Sequence, residues 1–219
     1  MALKDVGGFN PLEVFQHPKQ AVETALEFPS IVLAISILIL YWVLVFVSGI
    51  VSGLDYNFLQ QAAAMAVGIA VFFIQAWLVF IIAKGFGNSQ RKLFEGIISA
   101  FSLAVLATIV LSLFMLAVLI LNPQIPALIN DWSQGKIQDF DLINLAWDSI
   151  MQNIILGIIT LIIGVILAVW MGFLILYMNF LTIAKSTKSS VLISVLLMII
   201  VFVFCSFIQS LANSIIAMV

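Results

Sequence analysis

A chain of 219 residues that is 64% hydrophobic and only 8% charged cannot clothe a water-facing surface, because soluble domains carry about 25% charged residues. Its net charge of −2 excludes the basic balance of a nucleic-acid binder. Its single cysteine, Cys205, excludes an intramolecular disulfide and sits in an apolar run, where cysteine acts as a small hydrophobe.

Residues 1–30 hold six of the eighteen charges and form a polar segment ahead of the apolar runs. Asn10-Pro11-Leu12-Glu13 reads as a helix start, with Asn at the N-cap, Pro in the first turn and Glu completing a capping box. Pro18 restarts the helix after His17. Ala21, Val22, Ala25, Leu26 and Phe28 fall on one side, Lys19, Gln20, Glu23 and Glu27 on the other, and Pro29 ends it. Such a helix is expected to lie in the membrane interface, either as a topological anchor or as a docking surface for a cytoplasmic partner. The segment lacks a basic n-region, and the first apolar run is too long for a signal peptide, so that run is expected to stay as an anchor.

Five stretches reach the roughly 20 apolar residues a spanning helix needs: about 31–52, 61–83, 96–121, 150–183 and 191–217. Closed hydrogen bonding makes helices the natural solution in lipid, and the alternating ten-residue pattern of a barrel is missing. The fold class is therefore all-α: a polytopic bundle of five transmembrane helices (31–219) behind a 1–30 segment with a short interfacial amphipathic helix. Lys4, Lys19, Lys84, Arg91, Lys92, Lys185 and Lys188 share one side, and Lys136 alone lies opposite. The basic side is cytoplasmic by the usual bias, which leaves the C-terminus outside or lumenal. Asp55, Asp131, Asp139, Asp141 and Asp148 collect on the outer side and read as solvated loop surface.

The 122–149 connection is the only long one. Leu142, Leu145, Ala146 and Ile150 recur at helical spacing there, and Trp132 and Trp147 suit the headgroup level. Either the fourth helix begins near residue 140, or a tilted or broken helix explains its length.

Small residues let helices approach in lipid. Stripes occur at Ala62, Ala66 and Ala70; at Gly96, Ala100, Ala104, Thr108 and Ser112; at Gly157, Gly164, Ala168 and Gly172; and at Gly49 with Gly53. Each packs either within the bundle or against another copy in a homo-oligomer.

The fifth span differs. Cys205, Gln209 and Asn213 repeat every four residues, with Ser206, Ser210 and Ser214 in the neighbouring row, and Gln75 and Asn179 are further intramembrane amides. Buried amides need partners, so this face is either an interhelical hydrogen-bond network or the lining of a small wet cavity or lipid pocket. No ionisable residue lies deep in a span, which argues against a proton-coupled transporter or a charged-solute pore. One His and one Cys cannot fill a zinc site, no serine has a base to activate it, and Gly85-Phe86-Gly87 lacks the Walker spacing. No enzyme activity and no cofactor is expected.

Two stretches, "NPLEVFQHPKQAVETALEFPS" before the first span and "IIAKGFGNSQRKLFEGIISAFSLA" after the second, resemble the Yip family of five-span, Rab-interacting-type membrane proteins. The matching positions are Asn10, Pro11, Phe15 and Pro29, then Phe86, Gly87 and Phe94. The resemblance implies a cytoplasmic N-terminus, five spans and a non-enzymatic adaptor, organising or trafficking role. The Asp-Leu-Tyr-Gly-Pro type motif of eukaryotic members is absent, so a prokaryotic member in the cell membrane fits better than one with a Rab-type partner. A partner surface is expected at Asn10, Pro11, Phe15, Lys84, Phe86, Gly87, Arg91, Lys92 and Phe94, facing a protein or anionic lipid. The alternative is a transporter or channel component for a small neutral solute or lipid, lined by the fifth span. Ile82-Ala83-Lys84 and Ile183-Ala184-Lys185 weakly echo each other across two hairpins.

Overall fold

A computed structural model describes residues 13–52, 58–122, 124–133, 135–151 and 154–216. Lys4, Asn10, Pro11, Gly53 and Asp55 lie outside these. The described residues form helices α1 (Glu13–Gln16), α2 (Pro18–Glu27), α3 (Ile31–Val51), α4 (Phe58–Gly85), α5 (Leu93–Leu121), α6 (Gln124–Ser133), α7 (Asp139–Met151), α8 (Ile154–Thr187) and α9 (Val191–Ile216). Among them, α3, α4, α5, α8 and α9 are long and apolar enough to cross a membrane. The protein is a multi-pass integral membrane protein with an all-α bundle.

Around the fourth apolar stretch, helix is described on both sides of residues 152–153, which lie outside the described residues. α7 ends at Met151 and α8 begins at Ile154. α6 and α7 pack together across the long connection, where Trp132 Nε1 donates to Asp139 Oδ1 at 2.6 Å and Lys136 pairs with Asp131 at 2.9 Å. Phe140, Ile143 and Trp147 are exposed along one face of α7, the arrangement of a helix lying in an interface.

α5 is the hub: it packs against α2, α3, α4 and α8. Its first half, from Leu93 to Ala104, is rich in small side chains, and Gly96, Ser99, Ala100, Ser102 and Ala104 are all buried. Small residues allow close approach where lipid offers little hydrophobic drive between helices. Nearly all buried residues lie toward the end where α2 sits: Ala34, Ile37 and Leu38 on α3, Ala76, Val79 and Ala83 on α4, Met178, Thr182 and Ile183 on α8, Ser194 and Val201 on α9. The bundle is packed at this basic end. Toward the opposite end the same helices have few buried residues.

α2 is amphipathic as the sequence indicates, but protein covers its apolar side. Ala21, Val22, Ala25 and Leu26 are buried against α5 and α8. Gly96 makes room: a Cβ there would stand 2.9 Å from the Leu26 carbonyl oxygen and 3.1 Å from its Cα. The Ser30 N–H donates to Ser99 Oγ at 3.0 Å, pinning the start of α3 to α5. Glu23 pairs with Lys185 of α8 at 2.6 Å.

The small-residue stripes fare unequally. Ala100 and Ala104 are buried as expected. Ala62, Ala66 and Ala70 face outward, so they do not pack within the chain. Gly164 lies under the Phe114 ring, while a Cβ at Gly172 would meet nothing within 4 Å. The close approach in α4 occurs instead at Gly68, where a Cβ would overlap the Trp42 ring of α3.

Candidate functional site

Between α4 and α9 the bundle opens into a groove of about 720 Å³. Its lining comprises Val71 and Gln75 from α4 and Phe202, Cys205, Ser206, Gln209, Ser210, Asn213 and Ser214 from α9. Seven of the eight polar residues singled out in the spans thus meet in one place. Helical geometry dictates this: residues four apart share a face, so the two rows of α9 form one stripe. At 1.5 Å per residue the stripe from Cys205 to Ser214 runs about 13 Å toward the C-terminal end of α9.

Asn179 stands outside the lining. It anchors the groove floor, since its Oδ1 accepts from Gln75 Nε2 at 3.5 Å and its Nδ2 donates to the Ile175 carbonyl at 2.8 Å. Cys205 is buried at the α4 side. Gln209 Nε2 donates to Asn213 Oδ1 at 3.3 Å and Ser214 Oγ donates to the Ser210 carbonyl at 2.9 Å. The hydroxyls of Ser206 and Ser210 find no partner among the described residues. Among the described residues, no cation or carboxylate belongs to the lining.

At the basic end, the turn between α4 and α5 is built to hold its shape. Gly87 has φ +83°, the left-handed conformation that favours glycine. Its N–H bonds the Lys84 carbonyl and the Asn88 N–H bonds the Ala83 carbonyl, both at 3.0 Å, a Schellman cap. Asn88 is buried; its Nδ2 donates to the Ser186 carbonyl of α8 at 2.7 Å and its Oδ1 accepts from the Gln90 N–H at 3.1 Å. From this frame Lys84, Phe86, Arg91 and Lys92 project into the open, with Phe86 50% exposed. Lys84 Nζ sits 5.7 Å from the Phe80 ring centre.

No protein-family model, curated protein or solved structure matches this chain. The geometry of the two sites therefore carries the functional reading.

That geometry moves two residues off the expected partner surface. Phe94 packs edge-on against Phe80 at 5.5 Å and Phe15 packs against the buried cluster, because both lie on helix faces turned toward the bundle. Gly87 shapes the backbone rather than offering a side chain. The apolar side of α2 is likewise already covered, which leaves only its polar side for a partner. Asn88 was missed by sequence reasoning. The Gly-Asn pair that closes α4 was its signal, but a polar residue in a turn reads as solvated. The hydroxyl chain Thr187–Ser189–Ser194, with links of 2.7 and 2.8 Å, was missed for the same reason.

Proposed function

We propose that this is a non-enzymatic membrane protein whose groove between α4 and α9 receives a small neutral ligand. The observation that carries this is the convergence of Gln75, Ser206, Gln209, Ser210, Asn213 and Ser214 on one opening. Amides and hydroxyls left without partners in lipid are costly, whereas a groove that admits water or a polar ligand satisfies them.

The test is cysteine accessibility in membranes. With Cys205→Ser as background, Ser206→Cys is compared with Phe207→Cys, a neighbour at the same depth that is 61% exposed. A water-soluble maleimide is expected to label Ser206→Cys quickly and Phe207→Cys slowly. Equal protection of both overturns the groove.

A second reading, a Yip-type adaptor or organising protein acting through a cytoplasmic basic face, is favoured by the braced turn. Lys84, Phe86, Arg91 and Lys92 stand exposed on a rigid frame, a form suited to anionic headgroups or an acidic partner. It rests on the resemblance of the two stretches and on the distribution of lysine and arginine.

A further inference from the structure

We infer that the ligand of this groove is a lipid with a neutral, hydroxyl-bearing headgroup that enters sideways from the bilayer. The inference rests on the groove reading above and adds its ligand class and route. Four features point to it.

The first is charge. Among the described residues the lining holds amides, hydroxyls and a thiol, with no cation and no carboxylate. A phosphate or ammonium drawn into a low-dielectric site needs an opposite charge to offset its desolvation. A sugar or glycerol headgroup needs only donors and acceptors.

The second is the pattern of unmet hydrogen bonds. The Ser206 and Ser210 hydroxyls lack partners among the described residues. The Gln209 amide uses its nitrogen on Asn213, which leaves its oxygen open. Gln75 likewise uses its nitrogen, and at 3.5 Å that bond is long. The unmet groups of α9 thus lie within about 6 Å of helix, which suits several hydroxyls carried on one framework.

The third is the shape. Among the described residues only two helices supply walls, so the groove opens to the side. Val203, Phe204 and Phe207 are exposed on the same helix next to the polar stripe. A lipid satisfies both surfaces at once, its headgroup on the stripe and its chains on these apolar neighbours. A free sugar leaves the apolar surface unused.

The fourth is the floor. The Gln75–Asn179 pair closes the groove at its deep end, toward the packed half of the bundle. The space of about 720 Å³ falls within the usual range for ligand sites, about 300–1,000 Å³.

The experiment uses the purified full chain in mild detergent. It is incubated with equal amounts of a galactosyl diacylglycerol, a phosphatidylcholine and a phosphatidylglycerol of identical chains, and read by native mass spectrometry. The galactolipid adduct is expected to dominate. The triple variant Ser206→Ala, Gln209→Leu, Ser210→Ala should lose it by about tenfold or more, about 1.4 kcal/mol, as two or three hydrogen bonds disappear. These changes make a lipid-facing helix more apolar, so the bundle is expected to persist, and circular dichroism checks this. Equal retention of the phospholipids, or galactolipid retention unchanged in the triple variant, overturns the inference.

Maleimide labelling of Ser206→Cys then separates the two levels. Labelling that is fast and is slowed by galactolipid supports the inference. Labelling that stays fast with galactolipid present leaves the wet groove standing and removes the lipid. Labelling that is slow with and without lipid removes the groove itself. A disulfide-linked dimer of Ser206→Cys that excludes lipid overturns the inference in favour of a second copy.

Discussion

Asn88 joins two backbone segments with one side chain: its own turn through Gln90, and the end of α8 through Ser186. Replacing it with Ala leaves the Ser186 carbonyl and the Gln90 N–H without their partner. Losing such bonds in a buried place costs about 1–3 kcal/mol. Asn88→Ala should therefore lower the thermal midpoint in detergent, while Ser89→Ala beside it, whose side chain is exposed, should change it little. Part of this was legible beforehand. A Gly two residues past the last helical position announces a left-handed cap, and Gly87 provides it. The partner was not legible, because Ser186 lies 98 positions away and no local pattern connects the two. The polar stripe of α9 sits at the other extreme. Its four-residue repeat fixes a shared face by geometry alone, so its members could be named in advance. What faces them from α4 could not.

At the scale of elements, α2 shows where sequence reasoning stops. Its two-sided pattern is plain in the residues. Lipid and protein demand the same apolar face, so the pattern does not say which one covers it. Gly96 decides, since only a bare Cα lets the Leu26 backbone come so close. The contact has a pH signature. The hydrogen bond from Lys185 holds the Glu23 carboxyl below its ordinary range, outweighing partial desolvation, and the Lys185 and Lys19 charges add to the lowering. A carboxyl with a lowered value in the folded protein contributes stability that is complete above the ordinary glutamate value, about 4.3. That contribution is lost as pH falls through the lowered value. The pair is well exposed, so it contributes less than about 1 kcal/mol. Limited proteolysis between residues 17 and 30 should accelerate modestly as pH drops from 6 toward 3. Glu23→Gln should remove most of that pH dependence and should not release α2, which the buried apolar side holds. Equal pH dependence in both proteins counts against the ion pair.

For the whole molecule, five apolar stretches were readable because a bilayer imposes length and composition on every crossing. The unequal packing of its two halves was not readable, because every stretch is oily throughout. The gradient appears only when the small residues at one end of α5 meet α2, α3 and α8. Alternating crossings put the 86–92 turn and α7 on opposite sides of the membrane. With Cys205→Ser as background, Gln90→Cys and Asn144→Cys, both at exposed positions, should react with an impermeant reagent from opposite faces of sealed vesicles. Reaction of Gln90→Cys from the cytoplasmic side allows the adaptor reading. Reaction from the outer side removes it and leaves the groove reading untouched.

The ion pair of Glu23 with Lys185 also constrains the order of assembly during synthesis. Its members are 162 positions apart, and α2 rests on both α5 and α8. α2 therefore cannot find its full seat until the fourth crossing has entered the membrane. Contacts of such separation form late, because a long loop must close before they contribute. Until then α2 keeps the part of its apolar side that α8 covers open at the membrane surface. A chain stopped after residue 122 should leave residues 17–30 open to protease, and extension past Thr187 should close them.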